Sequence, residues 1–189
     1  MNRERLAALY GLVSADVGEA LAQLASVVPA DEAIVEVGSF QGKSTCYLAA
    51  GSKDGFGAKV FAVDPWDTPG NVTGRFGFAE PSTRDRFNEQ IRSMRFASRI
   101  TALQGFSADV AKQWNGPWVG LLFIDADHAE ASVCADFEAW KPNLRDGAMV
   151  VFDDYLSPKN PGVKKAVDSL NIDDLRVRAD WLAVGTFRG

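Results

Sequence analysis

The stretch Ile34-Val35-Glu36-Val37-Gly38-Ser39-Phe40-Gln41-Gly42-Lys43-Ser44-Thr45 constrains the fold more than any other. An apolar run breaks at a glycine-punctuated turn and opens into a helix-like segment. Two later stretches, Leu121-Leu122-Phe123-Ile124-Asp125-Ala126-Asp127-His128 and Val150-Val151-Phe152-Asp153-Asp154, are apolar strands that end in carboxylates. Strands of this kind, tipped with polar groups, build a site at the carboxyl edge of an open α/β sheet.

The rest of the chain repeats the alternation. Apolar positions Leu6, Leu9, Val13, Val17, Leu21, Leu24 and Val28 recur at helical steps over 3–28. Gly11 and Gly18 interrupt that pattern, so it divides into two helices, and Pro29 ends it. Strands are expected over 33–37, 59–63, 100–104, 119–125 and 148–152. Helices are expected over 44–50, stopping near Gly51, and over 84–97, 107–114, 129–140 and 161–170. Residues 175–177 and 181–187 read as closing strands. Alternating strands and helices predict a Rossmann-like, seven-stranded, mostly parallel sheet with helices on both faces. The close succession of the last two strands predicts an antiparallel edge strand. A chain of 189 residues with no internal linker reads as one domain, with 1–30 an N-terminal helical segment and 65–99 a lid loop and helix.

The net charge of −5 and pI near 4.9 argue against a general nucleic-acid binder. No h-region opens the chain and no apolar run approaches ~18 residues, so neither a signal peptide nor a membrane span is expected, and a reducing cytoplasm fits. Cys46 and Cys134 lie in no metal-type spacing and read as buried free thiols.

Glycine at 38 and 42 permits positive φ and close approach of a ligand to the backbone, and the helix start offers free N–H groups. The spacing is not that of a phosphate loop, because Val37 stands where GxxxxGK[ST] needs its first glycine. Nor is it GxGxxG, because Phe40 stands at the second. Asp64 ends the second strand, where a carboxylate can accept hydrogen bonds from both ribose hydroxyls. With Glu36 it makes an acidic pocket better suited to a sulfonium cofactor than to a pyrophosphate. The plainer alternative is a tight turn and a helix cap.

Asp125, Asp153 and Asp154 fall at the ends of strands expected to be neighbours. Three carboxylates at one point repel one another unless a cation joins them. Oxygen ligands of this kind suit Mg²⁺, with Mn²⁺ as a substitute. An Asp-Asp pair is otherwise a solvated turn. His128, the only histidine, lies three residues past Asp125, where an imidazole can act as general base; alternatively it is structural. Segment 75–99 carries Arg75, Arg84, Arg86, Arg92, Arg95 and Arg99 against Glu80, Asp85 and Glu89. It reads as a solvated helix face or as a lid favouring an anionic substrate. Trp66, Phe76 and Phe78 are either stacking residues over a sugar or cofactor, or core.

Val35 to Thr45 resembles the first motif of class I S-adenosylmethionine-dependent methyltransferases, and Phe61-Ala62-Val63-Asp64 resembles their second. Gly105-Phe106-Ser107-Ala108-Asp109-Val110 is similar to the adenine-wrapping segment of the small metal-dependent O-methyltransferases. The string from Phe123 to His128, then Leu144 to Tyr155 and Pro161 to Asp168, resembles the macrocin O-methyltransferase-like group, which methylates sugar hydroxyls. The match to catechol O-methyltransferase-like enzymes is weaker, since their usual Asp-Asn pair is Asp153-Asp154 here.

The resemblance implies S-adenosylmethionine as cofactor, with Glu36, Gly38, Ser39, Gly42, Ser44, Asp64, Pro65, Trp66, Ser107, Ala108 and Asp125 around it. It implies Mg²⁺ at Asp125, Asp153 and Asp154, with His128 and Asp125 in the catalytic step. The expected partner is a small-molecule or glycan hydroxyl, anionic in one reading; self-association as a homo-oligomer is also an expectation. Two rival readings stay open: a metal-independent or N-directed methyltransferase, and a catalytically silent cofactor-binding domain.

Overall fold

The computed structural model describes residues 3–66 and 82–189. Arg75, Phe76, Phe78 and Glu80, and with them most of the expected lid loop, lie outside the described residues.

Two short helices open the chain, α1 (Arg3–Ala7) and α2 (Ala15–Ser26). The Ser14 hydroxyl caps α2 by accepting the Val17 N–H at 3.1 Å, which supplies one of the helix's orphan donors with a partner. There follow β1 (Ala33–Val37), α3 (Lys43–Asp54), β2 (Lys59–Asp64), α4 (Thr83–Ser93), β3 (Ile100–Gln104), α5 (Ser107–Lys112) and β4 (Val119–Ile124). The chain continues through α6 (Glu130–Trp140), β5 (Leu144–Phe152), α7 (Pro161–Ser169), β6 (Asp173–Ala179) and β7 (Leu182–Thr186).

The seven strands form one sheet in the order β3-β2-β1-β4-β5-β7-β6. All neighbours are parallel except β7, which is antiparallel to both β5 and β6. The expected antiparallel strand is thus present at the expected side, with β6 outside it. Strand order reverses between β1 and β4, because the chain runs outward to β3 before returning beside β1. In open α/β sheets ligands bind at such a switch point, outside the carboxyl ends of the strands.

Alternate residues of each strand face opposite layers. Ile34, Val60, Leu121, Phe123 and Val151 join a core under α1–α4, built around Leu21, Tyr47, Trp66 and Phe87. Val35, Val63, Leu122, Val150 and Phe152 join a second core under α5–α7, built around Phe137, Trp140 and Val167. Burial on both faces explains why β4 reads as a continuous apolar run and β1 as one broken only by the buried Glu36.

Two glycines that read as helix breaks are helix contacts. Gly51 lies inside α3, and a Cβ there would stand 1.9 Å from the Ala22 carbonyl oxygen of α2. Gly18 lies inside α2, where a Cβ would meet the Tyr47 ring at 2.4 Å. The helices cross closely, and missing side chains permit it. β5 also begins earlier than expected, at Leu144, with a register shift against β4 that takes up Arg145, Asp146 and Gly147. Both cysteines are free; Cys46 is buried, as expected, and Cys134 only half-buried.

Candidate functional site

The β1–α3 turn is held from three directions. Gly38, at φ +90°, donates its N–H to the Val63 carbonyl at 2.9 Å. A Cβ at Gly38 would stand 2.1 Å from the Asp125 carbonyl oxygen. The close approach that demands glycine here is therefore that of the β4 end. Gly42, at φ +87°, sits at the N-terminus of α3, and a Cβ there would meet the Phe87 ring at 2.8 Å. Asp64 ties the two strand ends together, accepting the Phe40 N–H at 2.8 Å and the Trp66 N–H at 2.6 Å on separate oxygens. Burial nevertheless holds the Asp64 carboxyl above the usual carboxylate range, against the pull of these backbone donors.

Trp66 is core rather than a stacking platform. It is fully buried, donates Nε1–H to the Phe40 carbonyl at 2.8 Å, and packs on Phe87 at 5.0 Å between ring centroids. The Arg84 guanidinium lies 3.9 Å above its ring, so one arginine of the expected basic lid is committed to covering the core. Pro65, between Asp64 and Trp66, is half-buried, and its carbonyl accepts from Gln104 at 3.5 Å.

Glu36 is fully buried beneath this turn. One of its oxygens accepts from the Thr45 hydroxyl, and the other, Oε1, has no hydrogen-bond partner. Burial pushes the carboxyl up to about 7, and the nearby hydroxyls of Ser44, Thr45 and Ser39 act in the opposite sense. The buried Ser39 Oγ is also without a hydrogen-bond partner.

The acidic cluster forms on the other side of the switch point. Ile124 pairs with Phe152, so Asp125 and Asp153 follow adjacent strand ends. Asp154 takes a left-handed conformation at φ +58°. His128 Nε2 lies 3.2 Å from Asp154 Oδ2 and 3.8 Å from Asp125 Oδ1, without the alignment of a hydrogen bond to either. Burial pushes Asp125 up to about 8 and Asp153 up to about 6. Asp125, with Asp154 and Asp153 behind it, raises the His128 pKa above its usual value. Among the described residues, no three histidine, cysteine or acidic side chains are arranged to hold a metal ion. The imidazole stands among the carboxylates instead.

Two residues missed in the sequence complete this arrangement. Asn160 donates its side-chain amide to Asp154 Oδ2. Gly162 opens α7 against the segment that carries His128; a Cβ there would stand 2.5 Å from the His128 carbonyl oxygen and 2.8 Å from the Glu130 nitrogen. The only local signal was Asn-Pro-Gly at a helix start, which marks a turn but not what the turn touches.

Ser107 and Ala108 lie apart from the acidic cluster, in the first turn of α5. The Ser107 hydroxyl accepts from Trp140 Nε1 at 3.1 Å and stabilises the Asp136 carboxylate, which burial pushes up to about 6. Ala108 is exposed. The structure therefore brings Glu36, Gly38, Ser39, Gly42, Ser44 and Asp64 together around one turn, and Asp125, His128, Asp153 and Asp154 together beside it.

Residues 35–155 match the family model described as a methyltransferase domain. Among solved structures, the O-methyltransferase NovP superimposes with a TM-score of 0.75 at 18% identity, covering 94% of this chain and 81% of its own. An O-methyltransferase from Bacillus cereus, in complex with S-adenosylhomocysteine, gives 0.69 at 19% identity, covering 98% and 86%. CalS11, a TDP-rhamnose 3'-O-methyltransferase of calicheamicin biosynthesis, gives 0.69 at 21% identity, covering 90% and 77%.

Proposed function

The chain belongs to the methyltransferase domain family, and from that membership we propose that it transfers the methyl group of S-adenosylmethionine to a hydroxyl of a small molecule or sugar. The carrying observation is His128 Nε2 set between Asp154 and Asp125 beside the switch point. Likeness to O-methyltransferases, one holding S-adenosylhomocysteine and one acting on TDP-rhamnose, supports cofactor and acceptor class alike.

Glu36, Gly38, Ser39, Gly42, Ser44 and Asp64 form the cofactor side, with Pro65, Trp66, Ser107 and Ala108 at its margin. Both Asp64 oxygens accept backbone N–H groups, and their remaining lone pairs would accept the ribose hydroxyls. The acceptor oxygen attacks the methyl carbon as the sulfur–carbon bond breaks, and neutral S-adenosylhomocysteine leaves. The hydroxyl proton passes to His128 Nε2. Most of the rate comes from holding donor and acceptor in line, since the sulfonium is already activated.

Asp125, Asp153 and Asp154 have the donor chemistry for a hard divalent cation such as Mg²⁺ or Mn²⁺. Two of them are pushed toward neutrality by burial and mutual repulsion, an electrostatic deficit that a cation would relieve. Such an ion would lower the pKa of the acceptor hydroxyl and orient it. A second reading, metal-independent transfer, draws on the imidazole already standing among the acids.

Calorimetric titration of S-adenosylhomocysteine with and without Mg²⁺, followed by a screen of hydroxylated acceptors, tests the proposal. Tight cofactor binding and turnover that EDTA abolishes are expected. No cofactor binding sinks the reading, and turnover indifferent to EDTA replaces it with the metal-independent one.

A further inference from the structure

The turn after β5 and the first turns of α7 enclose a cleft of about 300 Å³ lined by Tyr155, Leu156, Ser157, Lys164, Lys165 and Asp168. Its polar groups fall into two sets. Tyr155, Lys164 and Asp168 satisfy one another: the Tyr155 hydroxyl donates to Asp168 at 2.7 Å, Lys164 pairs with the same carboxylate, and its ammonium lies 5.0 Å from the Tyr155 ring centroid. The acid of the cleft is thereby neutralised. Ser157 and Lys165 form the second set. Ser157 is 4% exposed, and its Oγ has no hydrogen-bond partner. Lys165 is exposed and carries no ion pair among the described residues.

A buried hydroxyl without a partner, beside an exposed ammonium that no carboxylate neutralises, suits a ligand that accepts hydrogen bonds and bears negative charge. Tyr155 and Leu156 supply an apolar wall for the body that carries it. None of the residues of the acidic cluster lines the cleft, but hydrogen bonds and backbone contacts tie the segment that forms it to that cluster. The Ser157 N–H donates to the Asp154 carbonyl at 3.0 Å, Asn160 holds the Asp154 side chain, and Gly162 abuts the His128 carbonyl.

We propose that this cleft takes the anionic group, a phosphate or a carboxylate, of the methyl acceptor, and that Ser157 and Lys165 select it. This rests on the acceptor site proposed above and narrows its substrate class to anionic hydroxyl compounds.

Phenyl phosphate, benzoate and phenol titrated into the full chain, followed by amide NMR shifts over residues 155–168, provide the test. At low salt, one of the two anions should bind about tenfold more tightly than phenol. Which anion wins distinguishes phosphate from carboxylate. Lys165→Gln and Ser157→Ala should each weaken that anion several-fold while S-adenosylhomocysteine affinity stays unchanged. Anion binding no tighter than phenol, or indifferent to both substitutions, overturns the proposal. Failure of S-adenosylhomocysteine to bind condemns the methyltransferase reading instead, because the anion titration is read independently of cofactor.

Discussion

Gly162 and His128 are in backbone contact: no side chain fits between the first turn of α7 and the His128 carbonyl, which a Cβ would approach to 2.5 Å. A residue at a helix start thus sets the position of the proposed base, although 34 positions separate them in the chain.

Gly162→Ala should therefore lower kcat at least tenfold while leaving S-adenosylhomocysteine affinity intact. In an unobstructed helix the change would stabilise by about 1 kcal/mol. Here the clash should reverse that sign and cost about 1–3 kcal/mol. Thermal denaturation beside single-turnover assays checks both parts.

Gly51→Ala separates fold from site. Its Cβ would strike the Ala22 carbonyl at 1.9 Å and force α2 and α3 apart. A loss of about 2–4 kcal/mol is expected from damaged packing of two helices. Urea denaturation measures it, and a neutral result would contradict the observed helix crossing.

Glu36 makes stability depend on pH in the direction opposite to an ion-paired acid. Its folded pKa is raised from 4.5 to about 7 by burial, so the folded state holds a proton that the unfolded state has lost. Stability contributed by the neutral acid is present below about pH 4.5 and falls as pH rises toward 7. The loss is on the order of 3 kcal/mol. Glu36→Gln should flatten this part of the curve between pH 4.5 and 7. Equal slopes for both proteins would refute the assignment.

Asp154→Asn keeps a residue that tolerates φ +58° and removes one carboxylate. The fold should survive within about 1 kcal/mol, with Mg²⁺ binding weakened at least tenfold and turnover falling in proportion. Mg²⁺ titration followed by calorimetry reads the first, and a methyl-transfer assay with added excess metal reads the second.

The alternation of strands and helices was legible because buried strands are continuous apolar runs and their boundaries fall at glycine, proline or acid. β1 and β3 occupy the expected residues, and His128 stands 3.2 Å from Asp154 and 3.8 Å from Asp125. Glycine is the residue whose role local pattern conceals most. Gly18 and Gly51 look like breaks in a one-dimensional pattern, yet each is a gap filled by another element. At Gly38 the sequence shows the need for a glycine, and the structure adds that the Asp125 carbonyl stands where a Cβ would be. Trp66 could be sorted into core only once Phe87 and Arg84 were seen against it.

By itself, then, the sequence determined the strand–helix alternation, the parallel sheet and the identity of the residues at its carboxyl edge, because these follow from short-range periodicity and chain direction. Tertiary structure alone decided which neighbour each glycine serves, that Asn160 and Gly162 govern Asp154 and His128, and that Ser157 and Lys165 share a cleft. The glycine contacts join segments distant in the chain, of which local pattern carries no record until the fold brings them together. The Asn160–Asp154 contact and the Ser157–Lys165 cleft turn on side-chain placement that periodicity does not encode.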